Sequence, residues 1–427
     1  MVLTSTTNGS ANSNRVCFEV DSARNDPYIV LAYSESPFFT DRQCDSTNDL
    51  SAHDSSVKLT ITHKGTNCVG TGYSRGAFKY LTVFIPEEDC PTTPDKDSVD
   101  TEQSLYEAAQ QKFLGGKIKL EQAAIAISKV WVNCTAFPSN TKGRAYTGYF
   151  DSSSSVLNRV WYAGVWTLQL STVDPKEGGS IVDFKRIFDP NTPLQGALDY
   201  NYTMASGGVL NTDGAKQDRL VWPGDMTTAV AGIAVSTYDM LAVRNALDII
   251  YRNQYDDGSM PYWGPPISLF GEFSDTYHLC TLIGTYEYVL YSGDLDWLRT
   301  KWGAYKRALE ASIRKVDETG LLHVPSVFDW VRPGMMGHNV EASALLYQVL
   351  GNSVQLAQWI VDKHSIEWWW GVQKRLRKGI PTLYCEQDGL FSDSTGKRGC
   401  NGPEKVLPQD GPSWVLLSNV IQSQSVR

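Results

Sequence analysis

The chain lacks a long apolar run, since no stretch reaches the 18 consecutive apolar residues that indicate a membrane-spanning helix. It is also poor in positive charge. There are 38 Lys and Arg against 47 Asp and Glu, which gives a formal net charge of -9. Nucleic acids and anionic membranes attract basic surfaces. The composition therefore argues against both as partners.

Metal-binding patterns are missing as well. The eight cysteines form no C-x-x-C pair, and the six histidines show no i, i+4 pairing. We therefore predict no metal site and no cofactor. The even cysteine count and the N-x-[ST] sequons at Asn8, Asn133 and Asn201 predict a secreted, extracellular glycoprotein with some disulfides. The segment Met1–Ser10 has no basic start and no apolar core, so it does not read as a signal peptide.

The 427 residues exceed the usual size of one domain, so two domains are expected. In residues 1–145, apolar and polar side chains alternate at 57–62 and 127–132, and 80–85 is a short run of strand-forming residues. Clusters of turn residues separate these runs. The pattern predicts an antiparallel β-sandwich.

Residues 146–427 change to helical spacing, for example across 227–253 and 295–313. Gly-containing turns at 257–258, 319–320 and 388–389 each follow a long helical stretch. They are explained equally well by a repeated helical-hairpin array and by ordinary glycine helix caps. Either way, this part of the chain reads as an all-α domain.

Asp213, Asp218 and Asp225 fall within thirteen residues, beside Trp222. Most glycosidases need two carboxylates that flank the scissile bond, and a tryptophan offers an apolar face to sugar C–H groups. Local structure is the simpler explanation. Asp225 then caps a helix, and Asp213-Gly214 forms a turn. The residues alone leave both explanations open.

The segment Asp213–Asp225 resembles the signature of the α-L-rhamnosidase family, whose catalytic domain is a six-hairpin (α/α)6 barrel, and especially its fungal-type members. The resemblance implies that Asp218 is the general acid and that Asp213, Trp222 and Asp225 bind the sugar. One position departs from the family pattern, because Gln217 stands where the family usually has Arg. A cation beside the acid would bias its protonation.

Two further loops of such a barrel are expected to face the sugar. Asp329-Trp330 is similar to an Asp-Trp pair of the family, and Trp263 lies in another aromatic loop. We count Asp329, Trp330 and Trp263 as predicted substrate-binding residues. Core packing is the alternative for all three.

The resemblance runs from about residue 70 to residue 419 and does not reach the later hairpin that carries the general base, a Glu, in the family. We therefore expect the base to be absent from this chain. The resemblance also predicts that the C-terminal hairpins are missing. We therefore expect the barrel to be incomplete and the chain to be truncated.

The sequence thus predicts an N-terminal antiparallel β-sandwich followed by an (α/α)6 domain that hydrolyses terminal α-L-rhamnosyl bonds with inversion. The substrate would be a rhamnosylated glycoside or polysaccharide. Two alternatives remain open, a noncatalytic or inactive sugar-binding relative and another six-hairpin enzyme such as a uronate or deoxysugar hydrolase or a lyase. Neither the aglycone nor the oligomeric state can be read from the sequence.

Overall fold

The computed structural model describes residues 15–23, 28–42, 46–48, 52–53, 56–70, 78–84, 125–133, 137–139, 146–176, 203–215, 219–264, 273–325 and 336–421. The described residues up to 133 form one compact unit, and those from 137 onward form another. Within these ranges, no helix is both long and apolar enough to cross a membrane.

The first unit is built from antiparallel strands. Its two three-stranded sheets have the orders β6-β1-β8 and β5-β2-β7, and β3 pairs with β4. The strands are β1 (Arg15–Ala23), β2 (Tyr28–Ser34), β3 (Ser46–Asn48), β4 (Ala52–His53), β5 (Val57–Thr60), β6 (Gly65–Cys68), β7 (Tyr80–Phe84) and β8 (Ile125–Asn133). The predicted strands near 57, 80 and 127 are confirmed as β5, β7 and β8.

Alternate residues of both sheets contribute to one hydrophobic core. Val16, Phe18 and Val20 of β1 are fully buried, and they share a cluster with Ile29 and Leu31 of β2. This spacing of two follows from the strand pleat, which sends successive side chains to opposite faces. A disulfide joins Cys17 to Cys68, which are register partners on β1 and β6.

The second unit is mainly helical. Its helices are α1 (Ser155–Leu170), α2 (Pro223–Val235), α3 (Met240–Arg252), α4 (Asp275–Ser292), α5 (Leu295–Ile313), α6 (Val340–Ile360), α7 (Ile366–Gly379) and α8 (Asp410–Leu417). Short two-stranded pairs lie between them. These are β9 (Thr172–Val173) with β10 (Leu210–Asn211), β11 (His323–Val324) with β12 (Gly337–His338), and β13 (Tyr384–Cys385) with β14 (Leu390–Phe391).

Short connections make helical hairpins of α2 with α3, α4 with α5, and α6 with α7. The helical stretch predicted across 227–253 is confirmed as two helices, because the chain breaks between α2 and α3. Tyr238 there has a φ of 52°, and the side chain of Asp239 caps α3 by accepting from the backbone N–H of Ala242. α4 ends at Gly293, which is its C-cap and has a left-handed conformation with a φ of 70°.

The helices α2, α4, α6 and α8 lie side by side and begin at the same end. Gly224 at the start of α2 lies against the ring of Tyr277 near the start of α4, and Gly411 of α8 lies against Val340 of α6. Near the other end, Tyr286 of α4 stacks on Trp359 of α6 with ring centroids 5.8 Å apart. We call these four the inner helices, and their shared end the N-terminal end.

The connection before α8 is tied by a second disulfide, between Cys385 and Cys400. The side chain of Asp393, 2% exposed as a residue, accepts from the Asn339 side chain at the start of α6 and pairs with Arg398. These bonds fix the 380–409 segment to the beginning of an inner helix.

Glu287 on α4 is a half-buried carboxyl whose pKa is raised to about 7 by burial. A folded pKa above the unfolded value of 4.5 means that its contribution to stability is complete below pH 4.5 and is lost as the pH rises through 7. Glu287→Gln should therefore flatten the stability profile over this range. At pH 8 the variant should be more stable than the wild type by about 1–2 kcal/mol.

Urea unfolding at a series of pH values measures this difference. Glu367→Gln, on the exposed surface of α7, is the matched control and should keep the wild-type profile. An unchanged pH dependence in Glu287→Gln would show that Glu287 is not the titrating group.

Candidate active site

The loop that carries the acidic segment is closed at its base by Asp213. Its backbone N–H donates to the carbonyl of Leu220 at 3.0 Å, and its Oδ1 accepts from the N–H of Leu220 at 2.9 Å. The half-buried carboxylate therefore joins both ends of the loop. Asp213-Gly214 is more than an isolated turn, because the side chain of Asp213 fixes a position seven residues ahead.

The predicted general acid, Asp218, and the preceding Gln217 lie outside the described residues, as do Asp329 and Trp330. Their roles stay predictions. Asp213 and Leu220, which precede and follow Asp218 in the sequence, are bonded to each other.

Arg219 follows Asp218 directly and is 2% exposed. Its φ of 43° places it in the left-handed region, which costs a residue with a side chain about 1 kcal/mol or more. The guanidinium stays charged at any physiological pH. The family pattern places a cation before the acid, whereas the buried cation here follows it and was not predicted from the sequence.

An aromatic cluster lies where the loop enters α2. Trp222 packs against Tyr262, Trp263 and Tyr277, with ring centroids 5.2, 5.0 and 5.8 Å away. Tyr262 also contacts Trp263 and Tyr277. Trp222 and Trp263 are only 6% and 3% exposed, so most of their surface contacts protein. The structure thus brings these two predicted residues together, and Tyr262 and Tyr277 join them.

Asp225 is exposed and lies in the first turn of α2, as its third residue. The capping interpretation is wrong, because the N-cap is Trp222 and no side chain caps this helix. A carboxylate in the first turn still interacts favourably with the positive end of the helix dipole.

A carboxylate occupies the first turn of every inner helix, namely Asp225, Asp275, Glu341 and Asp410 in chain order. Because the inner helices start at one end, these groups lie around the same end of the unit. Asp275 and Glu341 are 1% and 8% exposed. Several carboxylates at one end provide the groups that acid–base sugar chemistry requires.

Asp275 and Glu341 are not among the site residues predicted from the sequence, because helix electrostatics alone explains a carboxylate at a helix start. The Nζ of Lys315 lies 2.5 Å from Oδ1 of Asp275. Burial raises the pKa of Asp275, and the ammonium of Lys315 opposes this shift. The only sequence signal for Asp275 is its place directly after the N-cap Ser274.

The structure places two histidines in local networks. His278 is fully buried, with Nδ1 accepting from the N–H of Met260 and Nε2 lying 3.0 Å from the carbonyl of Ala308. Burial lowers its pKa to about 4, so the ring is neutral at physiological pH. His338 Nε2 contacts Asp317 Oδ2 at 2.6 Å. Among the described residues, no group of three or more potential His, Cys, Asp or Glu ligands could hold a metal ion.

Residues 202–400 match the family model described as the bacterial alpha-L-rhamnosidase 6 hairpin glycosidase domain. The match includes the whole Asp213–Asp225 segment and the helices α2 to α7. No curated protein matches the sequence significantly.

Solved structures of rhamnosidases match almost the entire chain. The GH78 family rhamnosidase of Bacillus sp. GL1 aligns with a TM-score of 0.64 and 14% identity, over 97% of this chain and 35% of that one. The fold is that of these rhamnosidases. A rhamnosidase from Klebsiella oxytoca with rhamnose bound gives 0.63 and 16%, over 97% and 67%. The α-L-rhamnosidase from Aspergillus terreus gives 0.55 and 14%, over 97% and 39%.

This result confirms the predicted rhamnosidase-type fold. The chain spans 35% to 39% of the length of the Bacillus and Aspergillus proteins and 67% of the Klebsiella protein. The expected fungal type and C-terminal truncation stay predictions.

Gly224 allows Tyr277 to reach the aromatic cluster, because a Cβ at this glycine would lie 2.7 Å from Cζ of the tyrosine ring. Gly224→Ala should push the ring out of contact with Trp222. We expect a loss of about 1–2 kcal/mol in the free energy of unfolding and a shift in tryptophan fluorescence.

Gly164→Ala on α1 is the matched control, since its new Cβ would meet nothing within 4 Å. That change should leave stability equal or raise it by up to about 1 kcal/mol. Equal stability of the two variants would show that the cluster does not depend on this close approach.

Proposed function

We propose that this protein is an α-L-rhamnosidase-like glycoside hydrolase that removes terminal α-L-rhamnose from glycosides or polysaccharides. The observation that carries the proposal is the family match over residues 202–400, because it contains the acidic segment. The loop closed by Asp213, the aromatic cluster and the first-turn carboxylates support it. They gather sugar-binding groups around the start of α2.

In the proposed mechanism, Asp218 donates its proton to the glycosidic oxygen while the bond to the anomeric carbon breaks. A water molecule attacks that carbon from the opposite face, so the configuration inverts. A second carboxylate must accept the proton of this water. The sequence resemblance assigns no residue of this chain as that base. Asp275 and Glu341 are the two buried carboxylates among the first turns of the inner helices, and we propose one of them for the role.

Sugar binding completes the proposal. Asp213 and Asp225 would accept hydrogen bonds from rhamnose hydroxyls, and the exposed parts of Trp222 and Trp263 would contact its apolar face. Asp329 and Trp330 would contribute from the connection between α5 and α6. We further propose residues 1–145 as a β-sandwich domain and 146–427 as part of an (α/α)6 barrel.

Secretion is a separate proposal. Stable disulfides belong to oxidising compartments, and the structure forms Cys17–Cys68 and Cys385–Cys400. Asn133, the sequon asparagine within the described residues, stands at the end of β8. Glycan occupancy at this site, measured by mass spectrometry of the secreted protein, tests the proposal.

Release of p-nitrophenol from p-nitrophenyl α-L-rhamnoside tests the assignment of Asp218. Asp218→Asn keeps the shape of the side chain but cannot donate the proton, so kcat should fall by about 10²–10⁴-fold. Asp296→Asn is the matched control, because Asp296 is exposed on α5 and its ion pair within the described residues is a surface pair with Arg299. Its activity should stay within about twofold of the wild type.

Other outcomes separate the alternatives. Rhamnose binding without turnover would favour the noncatalytic relative over the hydrolase. Full activity of the Asp218→Asn variant would show that Asp218 is not the general acid. Release of α-L-rhamnose as the first anomer, seen by proton NMR, would contradict inversion.

A further inference from the structure

A concave surface lies outside the acidic loop. It is a pocket of about 410 Å³ between residues 203–207, the end of α3 and Lys176. We call it the α3 pocket. Neither the predicted sugar-binding residues nor the first-turn carboxylates line it.

The α3 pocket has an apolar floor and a polar rim. Met204, Ala205 and Ile249 of the lining are 1%, 7% and 6% exposed. Hydroxyl and amide groups of Thr203, Ser206 and Asn253 complete it. Apolar surface combined with a few placed polar groups is typical of small-molecule sites, and it suits a sugar ring with its hydroxyls.

Two cations face this pocket in a chain whose net charge is -9. Arg252 is held in place by donating from Nη2 to Oγ of Ser206 at 3.0 Å. Lys176 is anchored by its backbone N–H, which donates to Asp174 Oδ1 at 2.9 Å. Among the described residues, no carboxylate forms an ion pair with either side chain. Neither charge is therefore neutralised by an ion pair within the part of the chain that the structure describes.

Helix electrostatics explains only half of this arrangement. Arg252 stands in the last turn of α3, where a cation interacts favourably with the helix dipole. Lys176 comes from the segment after β9 and gains nothing from that dipole. Two cations from separate elements therefore line one pocket, and the helix dipole accounts for only one of them.

The floor of the α3 pocket connects to the aromatic cluster. A Cβ on Gly264 would lie 2.9 Å from Val221 and 3.6 Å from Ile249. Gly264 directly follows Trp263 and Val221 directly precedes Trp222, and the N–H of Gly264 donates to the carbonyl of Val221 at 2.8 Å. The pocket is thus one side-chain layer away from the cluster.

We propose that the α3 pocket binds a carboxylate-bearing sugar, a uronate unit of an acidic polysaccharide. The carboxylate pairs with Lys176 and Arg252, and the ring hydroxyls contact the exposed rim residues Thr203 and Ser206. Charge-assisted bonds to a guanidinium and an ammonium favour such a unit over a neutral sugar. As a subsite for the substrate this site rests on the proposed carbohydrate function, but its binding can be measured without turnover.

The test is calorimetric titration of the full chain with trigalacturonate and with galactotriose, its neutral counterpart. We expect trigalacturonate to bind and galactotriose to bind at least about tenfold more weakly. The double variant Lys176→Gln/Arg252→Gln should weaken trigalacturonate binding about tenfold or more. Arg159→Gln/Lys363→Gln removes the same charge from exposed positions outside the pocket and should leave the affinity within about twofold.

A variant that leaves the charge unchanged provides a second test of binding in the pocket. Thr203→Trp fills the pocket from its exposed rim and should also abolish binding while the melting temperature stays unchanged. Equal binding of the two sugars, or equal affinity of the pocket and control variants, would overturn the proposal. Competition by inorganic sulfate at the same affinity would mark a general anion site and also overturn it. The titration measures binding without turnover, so an absence of rhamnosidase activity would not change its outcome.

Discussion

The inner helices must bury their apolar sides against one another, and the arrangement of the candidate site depends on that constraint. α4 packs between α2 and α6, and α6 between α4 and α8. Glycines at the helix starts permit close contact, as Gly224 does with Tyr277. Parallel packing brings the four helix beginnings to one end, and each beginning carries a carboxylate. Groups far apart in sequence therefore share one region because of helix packing.

The acidic loop is ordered by local bonds rather than by helix packing. One carboxylate oxygen of Asp213 accepts from the N–H of Leu220, and the N–H of Asp213 donates to the carbonyl of Leu220. Arg219 adopts a left-handed backbone conformation, and the residue is buried. Strained and buried polar residues of this kind concentrate at functional sites, because the surrounding structure must over-determine them. Beside the loop, Trp222 packs against three aromatic rings at the entry to α2.

Much of this architecture could be predicted from the sequence, because strand alternation and helical spacing are local signals. β5 and β8 followed from their alternation, and the rhamnosidase-type fold from the Asp213–Asp225 segment. The break between α2 and α3 was missed, since Tyr238 shows no sign of its positive φ. Asp275 and Glu341 looked like ordinary first-turn acids. Only the parallel packing of their helices makes them a group, and a single sequence does not show which helices become neighbours.

Under the proposed function, rhamnose binds at the N-terminal end of the inner helices, between the acidic loop and the aromatic cluster. A crystal structure of this chain with L-rhamnose bound tests it most directly. We expect the rhamnose hydroxyls within hydrogen-bonding distance of Asp213 and Asp225, and the apolar face of the sugar toward Trp222. Rhamnose bound at the opposite end of these helices, or on the β-stranded unit alone, would contradict it.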